Sequence, residues 1–340
     1  MKTLTLQEPG KLTLSETAEP DATPPAGHAL VQVRRIGVCG TDIHAFNGKQ
    51  PFFSYPRILG HELDIEVLAV APDVTNVAPG DLCAVEPYLN CGKCIACRRG
   101  KGNCCTSLQV LGVHADGGHR ERIVVPAAKL HASKKLTLDQ LALVETLGIG
   151  AHAVDRAQVE AGETVLVIGT GPIGLAVIQF AQAAGASVIA MDVNESRLAF
   201  CRDTLGVAHT VNATAPDVVA ELATLTNGDL PTAVFDATGN PRSMMASFNY
   251  PAHGGRLVFV GLFPGDVTFN DPNFHKRELT LMGSRNARSA DFPRIIALIE
   301  SGKVDTSPWI THRAPFDAVP QQFPSWVKPE TGVLKAMIEL

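Results

Sequence analysis

Thr164 to Gln182 reads TVLVIGTGPIGLAVIQFAQ. A run of β-prone aliphatic residues leads into Gly169, Gly171 and Gly174, and an apolar helical stretch follows. The first glycine permits a tight turn, the second lets the backbone approach a pyrophosphate, and the third lets helix and strand pack closely. Pro172 and Ile173 open the helix, whose N-terminus offers free N–H groups to phosphates. Gly169, Gly171, Pro172, Ile173 and Gly174 are therefore candidate cofactor contacts. A second strand, SVIAMD, ends at Asp192. An acid at that distance accepts hydrogen bonds from an adenosine ribose and repels a 2′-phosphate, which favours NAD over NADP. Arg197 either lies over the adenine side or faces solvent. A turn without a ligand is the competing reading; turn, acid and alternation agree against it.

Outward from this turn, strand and helix alternate. LALVETLGIGAHAVDRAQ reads as a helix, and further helices are expected near 195–205 and 216–225. TAVFDATGN and RLVFVGL supply strands. This is the pattern of an α/β Rossmann fold, a doubly wound parallel sheet covered by helices. The part before about Val144 differs: HALVQVRRIGV, LDIEVLAVA, DLCAVEPY and ERIVVPAAKL are short alternating runs separated by turns such as EPDATPPAG. They predict a β-rich domain. The last fifty residues end in the strand-like GVLKAMIEL.

At 340 residues the chain is long enough for two domains. Hydrophobic residues are 45% and charged residues 19%, ordinary for a soluble protein. A net charge of −5 gives no electrostatic reason to expect nucleic acid or an anionic membrane. The N-terminal stretch lacks an apolar core of signal-peptide length, so the expected location is the cytoplasm. The eight cysteines are then expected as thiols or metal ligands.

Four of them cluster. LNCGKCIACRRGKGNCCTS carries Cys91, Cys94, Cys97 and Cys105, with Cys104 an alternative for the last position. Four thiolates around a tetrahedral ion suit zinc and leave no open position, so such a zinc is structural. An iron–sulfur cluster or reduced thiols are the alternatives. Cys83 and Cys201 lie in apolar patterns and read as core residues.

GVCGTDIHAFNGKQPFFSYPRILGHE, residues 37–62, collects Cys39, Thr41, His44, His61 and Glu62. A catalytic zinc needs about three protein ligands and one open position. Cys39, His61 and a carboxylate supply them. Glu62 is adjacent to His61, while Glu145 lies where the β-rich part gives way to the nucleotide-binding part.

CGTDIH, GHE, the cysteine lobe, GTGPIG and Asp192 occur in this order along essentially the whole chain. Together they resemble the zinc-containing medium-chain dehydrogenase/reductases of the sorbitol and threonine dehydrogenase type. The resemblance implies a GroES-like catalytic domain over 1–146, with its zinc lobe at about 88–107. It implies a Rossmann NAD-binding domain over 147–287 and a return to the catalytic domain over 288–340. It implies two zinc ions per chain, NAD, a small-molecule alcohol substrate, and a homodimer or homotetramer. It favours Cys105 over Cys104, and Glu62 as the third catalytic ligand, with Glu145 able to ligate in some states. It implies that Thr41 takes the alcohol proton and that His44 passes it to solvent, with zinc as Lewis acid. Departures are Thr146, where proline is common, Ile65 where glycine is common, and His119 and Arg122 where aromatic residues are common. His119 reads as a partly exposed strand residue.

HAFNGKQPFFSYPRILGHE and DPNFHKRELTLMGSRNA resemble bacterial sugar-acid dehydrogenases of the galactonate 5-dehydrogenase type, with polyol dehydrogenases close by. Phe46, Phe52 and Phe53 shape the pocket or belong to the core. Arg285 binds a substrate hydroxyl or carboxylate, binds the cofactor, or is a surface arginine. The expected reaction is oxidation of a secondary hydroxyl by NAD. Threonine dehydrogenase, a simple alcohol dehydrogenase and a non-catalytic binding protein on the same fold are the alternatives.

Overall fold

The alternating runs become strands in a computed structural model that describes residues 1–50 and 53–340. Phe52 lies outside the described residues. Two compact units result, one of Met1–Thr146 with Arg288–Leu340, the other of Leu147–Ala287.

In the first unit, β1 (Lys2–Glu8) and β2 (Lys11–Glu16) form a hairpin. The strands β3 (His28–Val38), β4 (Glu62–Val70), β5 (Leu82–Val85), β6 (Tyr88–Leu89), β7 (Gln109–Val110), β8 (Arg122–Pro126) and β9 (Leu130–Ala132) follow. DLCAVEPY therefore splits into β5 and β6 at Glu86 and Pro87, because a proline has no N–H to donate to a ladder. Helix α1 (Gly40–Phe46) leaves the end of β3, and α2 (Ile95–Arg98) lies in the cysteine lobe. LALVETLGIGAHAVDRAQ lies in two helices, α3 (Leu138–Ala142) and α4 (Val144–Ala157), broken at Leu143.

In the second unit, β10 (Thr164–Ile168), β11 (Ser187–Asp192), β12 (His209–Asn212), β13 (Ala233–Asp236), β14 (Arg256–Phe259) and β15 (Thr280–Gly283) form one parallel sheet. Its order is β12-β11-β10-β13-β14-β15. Helices α5 (Pro172–Ala183) and α6 (Glu195–Asp203) follow β10 and β11. The order reverses at β10, so the glycine turn sits at the switch point where such sheets bind ligands.

The chain then returns to the first unit with β16 (Ile310–Pro315) and β17 (Lys335–Glu339). There the sheet order is β16-β17-β3-β4-β5-β9, with β8 also on β3. Strand β3 thus lies between β17 and β4, with Gly37 facing Met337 on one side and Glu62 on the other. This register brings Glu62 and Lys335 to opposite sides of β3 at Gly37. Val31, Val33, Ile36, Leu63, Ile65 and Ile338 are buried beneath it. Phe46 belongs to the same core and packs on Phe323 at 5.1 Å. Phe53 packs against that core, 4.9 Å from Tyr55. Burial pushes the thiols of Cys83 and Cys201 up to about 12, so both are inert core residues. Among the described residues, no helix is long and apolar enough to cross a membrane.

Candidate active site

Cys39 stands at the N-terminus of α1, where its N–H donates to Asp42 Oδ2 at 2.9 Å. Glu62 opens β4, and His61 immediately precedes it. One ligand atom each from Cys39, His61 and Glu62 lies within 4.8 Å of the others. His61 Nδ1 faces Asp42 Oδ1 at 3.8 Å, beyond hydrogen-bonding range, and neither atom has another partner. A buried acid behind an imidazole orients the other ring nitrogen outward, as behind metal-bound histidines. Burial alone would push His61 down; Cys39 and then Asp42 outweigh it and raise it well above its ordinary value.

Glu62 is gripped from across the sheet. Lys335 Nζ donates to both of its carboxylate oxygens at 2.7 Å and to the Val38 carbonyl at 3.1 Å. The pair crosses β3 at Gly37, where a Cβ would lie 2.1 Å from Glu62 Oε2. Burial pushes Glu62 up, but Lys335 and then His61 outweigh it, and the net effect is a lowered pKa. Each carboxylate oxygen keeps a lone pair beyond those given to Lys335. A thiol, an imidazole and an anionic carboxylate converging in this way fit a zinc ion with an open position. Glu145, in the first turn of α4, accepts a hydrogen bond from the Tyr88 hydroxyl. Burial raises its pKa, opposed by His61. Thr41 and His44 lie three residues apart on α1, hence on one face, the first half-buried and the second exposed.

In the lobe, ligand atoms of Cys91, Cys94, Cys97 and Cys105 lie within 4.8 Å of one another, while Cys104 is exposed and outside the group. Main-chain N–H groups of Cys91 and Ser107 donate to Cys105 Sγ at 3.3 and 3.4 Å, and that of Cys97 donates to Cys94 Sγ at 3.5 Å. Backbone donation from Cys97 and Thr106 holds Cys94 down to about 5. Four thiols gathered on such donors fit zinc.

In the second unit, Gly169 has a φ of +87°, and a Cβ on Gly174 would lie 1.7 Å from the Gly169 carbonyl oxygen. Only glycine permits that approach of helix to turn. Asp192 Oδ2 accepts the N–H and hydroxyl of Thr170 at 2.7 and 2.8 Å, and Oδ1 accepts the Asn194 N–H at 2.9 Å. Oδ1 keeps a lone pair for a ribose hydroxyl. Arg197 extends over the turn, with a guanidinium nitrogen 3.7 Å from where a Gly171 side chain would begin. Arg285 is exposed just beyond β15.

The zinc-binding dehydrogenase profile matches residues 172–301, and the alcohol dehydrogenase GroES-like domain profile matches residues 25–135. Escherichia coli K12 L-galactonate-5-dehydrogenase is 40% identical over 338 residues, covering 99% of this chain and 98% of that protein. The chain is a zinc-type alcohol dehydrogenase. Solved structures agree with this. RspB from E. coli CFT073, complexed with NADH, superposes with a TM-score of 0.93 at 29% identity, covering 100% of this chain and 99% of that one. A zinc-binding dehydrogenase from Sinorhizobium meliloti 1021, bound to NADP, gives 0.91 at 28%, covering 100% and 99%.

Several residues of this dehydrogenase's site escape a reading of the sequence. Asp42 carries a faint signal, an acid three residues after an N-terminal cap. Lys335 carries another, a lone cation inside the apolar run GVLKAMIEL. Tyr88 carries none. His119 corrects an expectation: it is fully buried in a bend, not partly exposed in a strand, and neither ring nitrogen has a hydrogen-bond partner. The close-packed backbone of Gly60 and the side of Leu63 at Gly118 enclose this bend. Arg122 does lie on a strand, β8, and donates to Gln32 and Glu19.

Proposed function

We propose that this dehydrogenase oxidises a secondary hydroxyl of a polyhydroxylated small molecule, a polyol or a galactonate-like sugar acid, with NAD. The observation that carries the reading is the convergence of Cys39, His61 and Glu62 within 4.8 Å. The likeness to an L-galactonate-5-dehydrogenase supports the substrate class.

In this reading Cys39, His61 and Glu62 hold the catalytic zinc, and Cys91, Cys94, Cys97 and Cys105 hold the structural one. When bound, zinc supplies a Lewis acid to the substrate hydroxyl, and NAD supplies the hydride acceptor. Asp42 orients the His61 ring, and Lys335 orients the Glu62 carboxylate. Thr41 takes the hydroxyl proton, and the exposed His44, on the same face of α1, delivers it to water. Glu145 remains beside the site on its Tyr88 hydrogen bond. Gly169, Gly171, Pro172, Ile173 and Gly174 cradle the pyrophosphate, Asp192 binds the ribose, Arg197 contacts the cofactor, and Arg285 contacts either the cofactor or a substrate carboxylate. Relatives of this fold hold NADH or NADP, so the charge at Asp192 is what selects NAD here. A cytoplasmic homodimer or homotetramer completes the reading, and light scattering checks its oligomeric part.

The test is kcat/KM with NAD across polyols, aldonates, threonine and ethanol. A site that hydrogen-bonds several hydroxyls discriminates strongly against substrates lacking them. Ethanol or threonine exceeding every polyol and aldonate would overturn the reading. Arg285→Ala sorts the remaining choice: a larger loss on galactonate than on galactitol assigns Arg285 to a substrate carboxylate, and equal losses assign it to the cofactor.

A further inference from the structure

Glu86 is buried between β5 and β6, and three side chains converge on it. Lys129 forms an ion pair with Glu86 Oε1, the Ser289 hydroxyl donates to the same oxygen at 2.9 Å, and His131 Nε2 lies 3.4 Å from Oε2. Lys129 has a second partner. Its Nζ donates to Asn90 Oδ1 at 3.0 Å, and Asn90 Nδ2 in turn donates to Cys97 Sγ at 3.6 Å. A cation on one end of an amide settles its orientation: the oxygen must face Lys129, so the NH2 faces the sulfur. The lobe is flanked by β6 and β7, which pair only over Tyr88–Leu89 and Gln109–Val110. Helix α2, within the lobe, contributes no buried residue. The lobe therefore has little apolar packing of its own to hold Cys97 in place.

We propose that Asn90 is a positioning residue of the four-cysteine centre, and that the relay from Glu86 through Lys129 and Asn90 to Cys97 anchors that centre to the sheet. The proposal rests on the reading that the four cysteines hold zinc. Four thiolates around a divalent cation carry net negative charge. An N–H donor to one sulfur disperses that charge and fixes the ligand's direction. An amide meets this need without a charge of its own, while Lys129 polarises it and Glu86 neutralises Lys129. Hydrogen-bond partners of this kind sustain metal affinity by about 10–100-fold. The relay also begins two residues from Tyr88, whose hydroxyl holds Glu145 at the other metal site. One short segment, Glu86 to Asn90, thus carries a contact to each centre.

The experiment uses the full chain with Cys39→Ser, so that one metal remains. Its release to a chromogenic chelator is timed in this parent, with Asn90→Ala, and with Asn90→Asp, which keeps an acceptor for Lys129 but loses the donor. We expect release at least about tenfold faster in both. With cobalt in the lobe, we expect the sulfur-to-metal charge-transfer bands to move in Asn90→Ala, a change that loss of packing alone would not produce. Lys129→Met, which leaves Asn90 present but unoriented, should also speed release and serves if Asn90→Ala does not fold. Release at the parent rate in the folded variants, with unmoved cobalt bands, would overturn the relay and leave the zinc reading intact. A Cys39→Ser parent that holds no metal would overturn the zinc reading of the lobe and the relay with it.

Discussion

Lys335 holds both carboxylate oxygens of Glu62 at 2.7 Å, across the intervening strand and with both side chains removed from water. The contact exists because β3 places a glycine between them. Breaking one side of a buried pair leaves an uncompensated charge, at a cost of about 3–5 kcal/mol. With the Cys39, His61 and Glu62 site free of metal, Lys335→Met should therefore lower the unfolding free energy by about that amount, and Lys335→Met with Glu62→Gln by less than the sum of the single changes. Glu62 has a folded pKa below its ordinary 4.5. Its stabilisation is thus present above 4.5 and lost as pH falls through the folded value. Without Lys335, that loss should move to higher pH. Denaturant unfolding across pH 3–8 (roughly the span that brackets a carboxylate) checks both points.

His119 should make the enzyme acid-sensitive. Burial, and then His61, push its pKa down to about 3 from 6.5. The unfolded chain binds a proton below 6.5 that the native chain refuses, so stability is lost as pH falls from 6.5 towards 3 and is unaffected above. At pH 5 the loss is about 2 kcal/mol, for about 1.5 units at about 1.4 kcal/mol each. His119→Phe removes two unpartnered nitrogens and should melt higher than the native protein. The gap should be wider at pH 5 than at pH 7.5. A gap that is constant with pH would show that His119 takes up a proton in the folded state.

Asp192 should govern the choice of dinucleotide. Its charge opposes a 2′-phosphate, and its Oδ2 also fixes Thr170 at the glycine turn. Asp192→Asn keeps the size and removes the charge. The NAD to NADP ratio of kcat/KM should fall by at least about tenfold, the effect of about 1.4 kcal/mol. KM for NAD should rise too, because Thr170 loses a charged acceptor. Equal use of both cofactors by the native enzyme would refute the preference itself.

Metal analysis should return two zinc ions per chain, one for each ligand group. Cys39→Ser should lose one ion and the activity while melting near the native temperature. Cys94→Ser should lose the other and melt lower, because closed four-thiolate sites contribute directly to folding. Full metal content and full activity in Cys39→Ser would remove the catalytic assignment.

What the sequence determined by itself is local. The turn at Gly169–Gly174, the acid ending the next strand, the cysteine spacing and the Cys39, His61 and Glu62 motifs each place their chemistry within a few residues. Hydrophobic period and turn chemistry act at that range, and so they were legible. The partners of those groups were decided by tertiary structure. Lys335 reaches Glu62 from 273 residues away because β17, β3 and β4 lie in one register, with Gly37 between them. Tyr88 reaches Glu145 across 57 residues, and Ser289 reaches Glu86 across 203. His119 is buried because the backbone of Gly60 closes against it, which nothing in DGGHRER announces. Such pairings depend on strand order and register. Those are set by the packing of the whole sheet, since a shift of one residue in β4 or β17 would turn Glu62 or Lys335 to the opposite face.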